Sequence, residues 1–261
     1  MIRQLLKAVL IPALVLISST TCFGQFTQDI RYGIKPKGKI RSYTSSQADV
    51  NDTLFKEISS IYYSEYNRKG QLIKSWKANK LNEESLDTKY VKTFTYDKKS
   101  NLTEVMHFNS KGEPSEKDTY VYSQSGRFII IKKHMYNGDT SRTSEQFRID
   151  ASGKILESYT YYAKTDTTPM LLQTRIHYKY NALGQRIEEV AYNANNRQTS
   201  KRINEYNDKG NLTRFTYEKD PLFDGAFNNT AYDSHNNWTS SLLFRFGKPA
   251  ARFKREIIYY K

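Results

Sequence analysis

One short spelling recurs seven times along this chain and leaves little freedom for its fold. It appears as YNRKGQLI from Tyr66, YDKKSNLT from Tyr96, YSQSGRFI from Tyr122, IDASGKIL from Ile149, YNALGQRI from Tyr180, YNDKGNLT from Tyr206 and YDSHNNWT from Tyr232. The starts lie 30, 26, 27, 31, 26 and 26 residues apart. A period of this size, held over most of a chain, marks repetition of one supersecondary unit.

The chemistry of each unit is that of a tight turn. An Asn or Asp after the aromatic can bond its side chain to the backbone ahead, and two free positions follow. Glycine then supplies the positive φ of a type I turn with a bulge. Gly70, Gly126, Gly153, Gly184 and Gly210 hold that place, Asn236 is the next best residue for it, and Ser100 predicts a looser turn.

Period-two alternation flanks the turns. Tyr90, Lys92, Phe94 and Tyr96 fall on one face with Val91, Thr93 and Thr95 on the other, and Ile176, Tyr178 and Tyr180 oppose Arg175, His177 and Lys179. The stretch GKIRSYTSS (Gly38 to Ser46) reads as a lead strand and ARFKREIIYYK as a closing one. One lead strand, seven hairpins and one closing strand predict an all-β antiparallel meander of about 16 strands, curled into a barrel-like or strongly twisted sheet. With turns of fixed length at one edge, the variation in period falls on loops at the other, at residues 79–89, 163–172 and 218–229.

The first 24 residues read as an export signal. Arg3 and Lys7 precede the apolar run Ala8 to Ile17, which is too short to span a bilayer, and small residues at Cys22 and Gly24 favour cleavage before Gln25. A second reading acylates Cys22, although Ser19-Thr20-Thr21 lack the Leu and small residue usual in that motif. The organisation expected is a signal peptide at 1–24, an N-terminal segment at 25–37 and a repeat domain at 38–261, with a periplasmic, outer-membrane-associated or extracellular destination. No later apolar run reaches membrane-helix length. Cys22 is the only cysteine, so a chain cut before Gln25 has no disulfide, thiol nucleophile or cysteine metal site.

The formal charge is +14, and two of the basic residues lie in the signal, leaving +12. Such an excess favours acidic partners, and for an exported chain an anionic polysaccharide or another envelope component comes before nucleic acid. The same charge spread over a solvated surface needs no partner.

The spelling Y-[DN]-x-x-G-[NRQ]-[LI] at this period resembles the YD repeat of RHS-type proteins, including short exported proteins of Bacteroidetes-like bacteria. The resemblance covers Gly38 to Lys261, with departures at Ile149, Ser123, Ser100, Asn236 and Arg186. It implies a β-hairpin array and, by analogy, carbohydrate or envelope binding.

No residue pattern demands catalysis, a cofactor or a metal. His107, His134, His177 and His235 fall in different repeats without ligand spacing, and Asp97, Asp150 and Asp233 are accounted for by turns. No glycine-rich loop precedes a helix. Trp76, Trp238 and the many tyrosines fit a core more readily than a sugar-stacking face. The expected function is a non-catalytic envelope binding module for carbohydrate or an acidic polymer. The alternatives are a hydrolase or lyase acting on polysaccharide, and a purely structural envelope protein.

Overall fold

Each copy of the repeat forms the reversal between two antiparallel strands of a closed sheet. In the computed structural model, the residues described are 37–54, 56, 58–79, 88–123, 125, 127–136, 142–151, 154–165, 167–218 and 220–261. The signal peptide, most of the segment before Gly38, Gly126 and Gly153 lie outside them.

The strands are β1 (Ile40–Ala48), β2 (Ile58–Tyr66), β3 (Leu72–Asn79), β4 (Thr88–Tyr96), β5 (Leu102–Phe108), β6 (Pro114–Tyr122), β7 (Phe128–Met135) and β8 (Arg142–Ile149). They continue as β9 (Ile155–Ala163), β10 (Leu171–Tyr180), β11 (Arg186–Asn193), β12 (Gln198–Tyr206), β13 (Leu212–Tyr217), β14 (Gly225–Tyr232), β15 (Trp238–Arg245) and β16 (Lys248–Tyr259). Every strand pairs with its sequence neighbours, and β1 pairs antiparallel with β16, so the 16-strand meander closes into a barrel. Among the described residues the only helical element is the 3-10 turn Pro221–Phe223.

Turn chemistry sets the register at the repeat end. Asn67 Oδ1 accepts from the Lys69 and Gln71 amides at 3.0 Å each, the Gly70 amide bonds the Asn67 carbonyl, and Gly70 has φ 76°. Asp97 does the same with Lys99 and Asn101, both at 2.8 Å. Ser100 takes φ 69° and keeps the turn bond to Asp97 at 3.0 Å, so this turn is not looser than its glycine counterparts. The Asx side chain holds the backbone from two sides, which is enough to impose a left-handed residue on serine. The copy lacking Asx does differ. At Ser123 the closing bond runs to Phe128 rather than to the fourth residue on, and the residue opposite Tyr122 is Ile129.

Closure sends alternate side chains to the lumen or to the outer wall. The residues flanking each repeat turn face one another across their hairpin: Tyr66 with Leu72, Tyr96 with Leu102, Tyr122 with Ile129, Ile149 with Ile155, Tyr180 with Arg186, Tyr206 with Leu212 and Tyr232 with Trp238. Across the seam Ile40 meets Tyr259. These pairs form a collar at one barrel end, its aliphatic side chains, Tyr66 and Trp238 buried and its other tyrosines and Arg186 half-buried, with Leu102 and Ile129 wholly inaccessible. Tyrosine hydroxyls tie successive repeats together: Tyr96 donates to the Leu72 carbonyl at 2.7 Å, Tyr122 to Leu102 at 2.9 Å and Tyr206 to Arg186 at 2.8 Å. The aromatic faces predicted from alternation are therefore largely core, and Trp238 is buried there. Trp76 lies instead on the outer wall, stacked on Tyr63.

A latch fastens the seam. The Lys37 amide donates to Asn237 Oδ1 at 2.6 Å, and Asn237 Nδ2 donates to the Lys37 carbonyl at 2.9 Å and to the Tyr259 hydroxyl at 2.8 Å. The Tyr259 hydroxyl donates in turn to Asp233. Gly38 passes between these groups at φ 99°, where an added Cβ would fall 2.9 Å from the Tyr259 ring and 3.0 Å from His235.

The opposite end is less uniformly looped than the repeat period implies. Asn109–Gly112 and Asn193–Asn196 are Asx turns of the repeat kind, with positive φ at Gly112 and Asn196, and β15–β16 is joined by Phe246 and Gly247 alone. The loop expected at 218–229 ends sooner, because β14 begins at Gly225 once the Asp224 carboxylate accepts from the Tyr217 amide.

Candidate functional site

Three regions of the barrel carry features beyond scaffold: the rim opposite the collar, the outer wall and the inner wall of β5–β8. At the rim, apolar side chains stand in solvent. Of the eleven exposed large apolar residues among those described, eight lie at this end. They are the aromatics Tyr90, Tyr136, Tyr162, Phe223 and Phe246 and the leucines Leu54, Leu171 and Leu222. Only Val121, Leu183 and Ile258 are exposed at the collar end. The free turn positions at the collar end carry cations instead: Arg68, Lys69, Lys98, Lys99 and Lys209. The molecule is thus two-ended, basic at the turns and aromatic at the rim.

The outer wall carries cross-strand ion pairs. Lys117 Nζ lies 3.3 Å from Glu104, Arg148 Nε 2.7 Å from Glu157 and Lys179 Nζ 2.6 Å from Glu188, which Lys201 also approaches at 3.7 Å. A lipid-facing wall disfavours such residues, by about 2–4 kcal/mol for a Lys or Arg at mid-membrane. The Arg148 hydrogen bond is the main cause that brings the Glu157 carboxyl to about 2, with burial opposing it and Tyr159 adding to it. Because this value lies below the ordinary 4.5, the stabilisation is fully present above pH 4.5 and disappears as pH falls through about 2. In urea titrations, Glu157→Gln should be less stable than wild type at neutral pH by on the order of 1 kcal/mol, allowing for solvent screening. That difference should shrink as pH approaches 2. A pH-independent difference would show that the carboxylate charge is not the cause.

On the inner wall, strand register assembles groups that are far apart in sequence. His107 faces Glu116 and Val105 faces Asp118 across β5–β6, while Asp118 faces Lys133 across β6–β7. His107 Nε2 lies 3.0 Å from Asp118 Oδ2, and Lys133 Nζ lies 3.7 Å from Glu116 and 3.2 Å from Glu145. Burial pushes the Asp118 carboxyl up, but the hydrogen bond to His107 and the Lys133 charge outweigh it and hold the group below the usual carboxylate range. Burial likewise disfavours the Lys133 ammonium, and Glu145, Asp118 and Glu116 more than compensate. Both groups are charged at neutral pH.

No sequence spacing announces this cluster, because its members are gathered by pairing between strands. The other histidines stay apart. His134 packs edge-on against Tyr136, His177 sits 3.4 Å from Glu157 on the outer wall, and His235 stacks on Tyr259 at the collar. The inner wall of β11–β16 carries arginines laid over aromatic rings: Arg186 over Tyr178 at 4.3 Å, Arg202 over Phe215 at 4.7 Å and Arg255 over Trp238 at 3.5 Å. Arg186 also pairs with Glu189 at 3.3 Å, which explains how a cation fills the collar place usually held by an apolar residue.

Neither the protein-family models nor the curated proteins contain a match to this chain. Among solved structures, the barrel is similar to a porin-like protein from Bacteroides uniformis, with TM-score 0.54 and 10% identity over 84% of this chain and 98% of that one. A porin-like protein from Bacteroides vulgatus aligns at TM-score 0.42 and 12% identity over 86% of this chain and 99% of that one. The first likeness shows the fold and, at that identity, extends no further.

Proposed function

We propose that this protein is an exported, non-catalytic binding module of the cell envelope, of the YD-repeat kind, whose ligand is a carbohydrate or an acidic polymer. The observation that carries the reading is the aromatic rim. Large apolar side chains left in water at one end of a barrel mark a surface kept for a partner. Tyrosine and phenylalanine rings can stack on the apolar faces of sugar rings. The net positive charge favours acidic glycans and makes binding salt-sensitive. Ion pairs across the outer wall support a barrel standing in water, at an envelope surface or in the periplasm, rather than one embedded in lipid.

A glycan array carrying neutral and anionic envelope polysaccharides tests this reading. Wild type should be retained, with affinity falling as salt rises. The triple variant Tyr136→Ala, Tyr162→Ala, Phe223→Ala should bind about tenfold more weakly or worse, a loss of about 1.4 kcal/mol. Failure of wild type to bind any arrayed glycan, or equal binding by the triple variant, would overturn the proposal. The His107–Asp118 cluster supports the rival hydrolytic reading. In that case the retained glycan would be cleaved, and Asp118→Asn would abolish cleavage.

A further inference from the structure

We propose that His107, Glu116 and Asp118 form a binding site for one divalent transition-metal ion of the zinc type, set in the inner wall just below the rim. Their ligating atoms all lie within 4.8 Å of one another, and they are the one such group of His, Cys, Asp and Glu among the described residues. One imidazole nitrogen and two carboxylate oxygens make a set that zinc accepts, at bond lengths of about 2.0–2.2 Å, with a fourth position left open.

A second observation points to a missing ligand. Asp118 is only 6% exposed, and its Oδ1 has no hydrogen-bond partner. Tyr120, on the same strand face and equally buried, has an unpartnered hydroxyl. A buried polar atom left unmet is destabilising. Each of these atoms presents less than 1 Å² of surface, so bulk solvent does not meet its bonding capacity. A cation bound among the donors would. Charge runs the same way. Strand register sets Glu116, Asp118 and Glu145 on this wall with Lys133 and Lys92, three carboxylates against two ammonium groups. Lys133 touches Glu116 and is the built-in competitor for an incoming ion.

The inference does not depend on the glycan reading. The test uses the full chain, stripped with chelator and dialysed against zinc. Wild type should retain one equivalent by elemental analysis, and cobalt in its place should give the visible absorption of a four- or five-coordinate site. His107→Gln and Asp118→Asn should each weaken zinc binding by about 100-fold, with circular dichroism confirming the barrel. Lys133→Met should tighten binding, an effect that a merely structural role would not produce. Should Asp118→Asn fail to fold, Glu116→Gln, at a partly exposed position, carries the same expectation. The proposal is overturned if wild type retains no zinc, or if His107→Gln and Glu116→Gln retain it unchanged.

Discussion

Leu102→Ala is expected to destabilise the barrel by about 2–5 kcal/mol in denaturant titration, the range for a leucine truncated in a core that cannot collapse around the cavity. Leu102 is completely inaccessible, stands opposite Tyr96, and accepts the Tyr122 hydroxyl on its carbonyl. The neighbouring hairpins thus hold its backbone while the side chain is lost. Leu183 is the control: it is 81% exposed at a free turn position, and its replacement by alanine should change stability by less than about 0.5 kcal/mol. Equal costs at the two sites would mean that the collar is not a packed layer.

Gly225→Ala should act at one place in the wall. A Cβ there would lie 2.5 and 2.7 Å from carbons of the Phe215 ring and 3.1 Å from Leu243 Cδ1, so the ring must move. Overpacking of this kind costs about 1–3 kcal/mol. The site matters because β13 and β14 are joined by only two residue pairs, Arg214 with Ala226 and Phe215 with Gly225, whereas the β1–β16 seam has eight. Native-state hydrogen exchange should therefore show faster exchange around Phe215 and Ala226 with the seam unchanged. A uniform loss of protection across all strands would contradict a weak point at that junction.

The architecture was readable from the chain because its information is local. The Asx residue, the two free positions and the left-handed residue lie within one turn, and their repetition predicts both the strand number and the lead and closing strands. The turns at Asn109 and Asn193 carry the same spelling, FNSKG and YNANN, but fall out of phase with the repeat at the opposite end. A search by period passes over them. The His107 cluster was not readable, since its members sit on neighbouring strands and meet only through register. A bulge between His107 and Phe108 adjusts that register, and nothing in the spacing of His107 and Asp118 reports it. Arg186 breaks the apolar pattern in the sequence, but its compensation by Tyr178 and Glu189 appears only once β10 and β11 are paired.

The seam has a consequence for how the chain must be made. The first strand finds its second partner only in the last, with Lys37 meeting Asn237 across 200 residues. Until the final strand is synthesised, two open sheet edges stand unpaired, each a template for another chain. Closure between such distant segments is also slow. A molecule truncated before β16 would not be a slightly smaller barrel. It would be an open sheet with two adhesive borders, so the exposure to aggregation falls on nascent and clipped chains and ends when Tyr259 reaches Ile40.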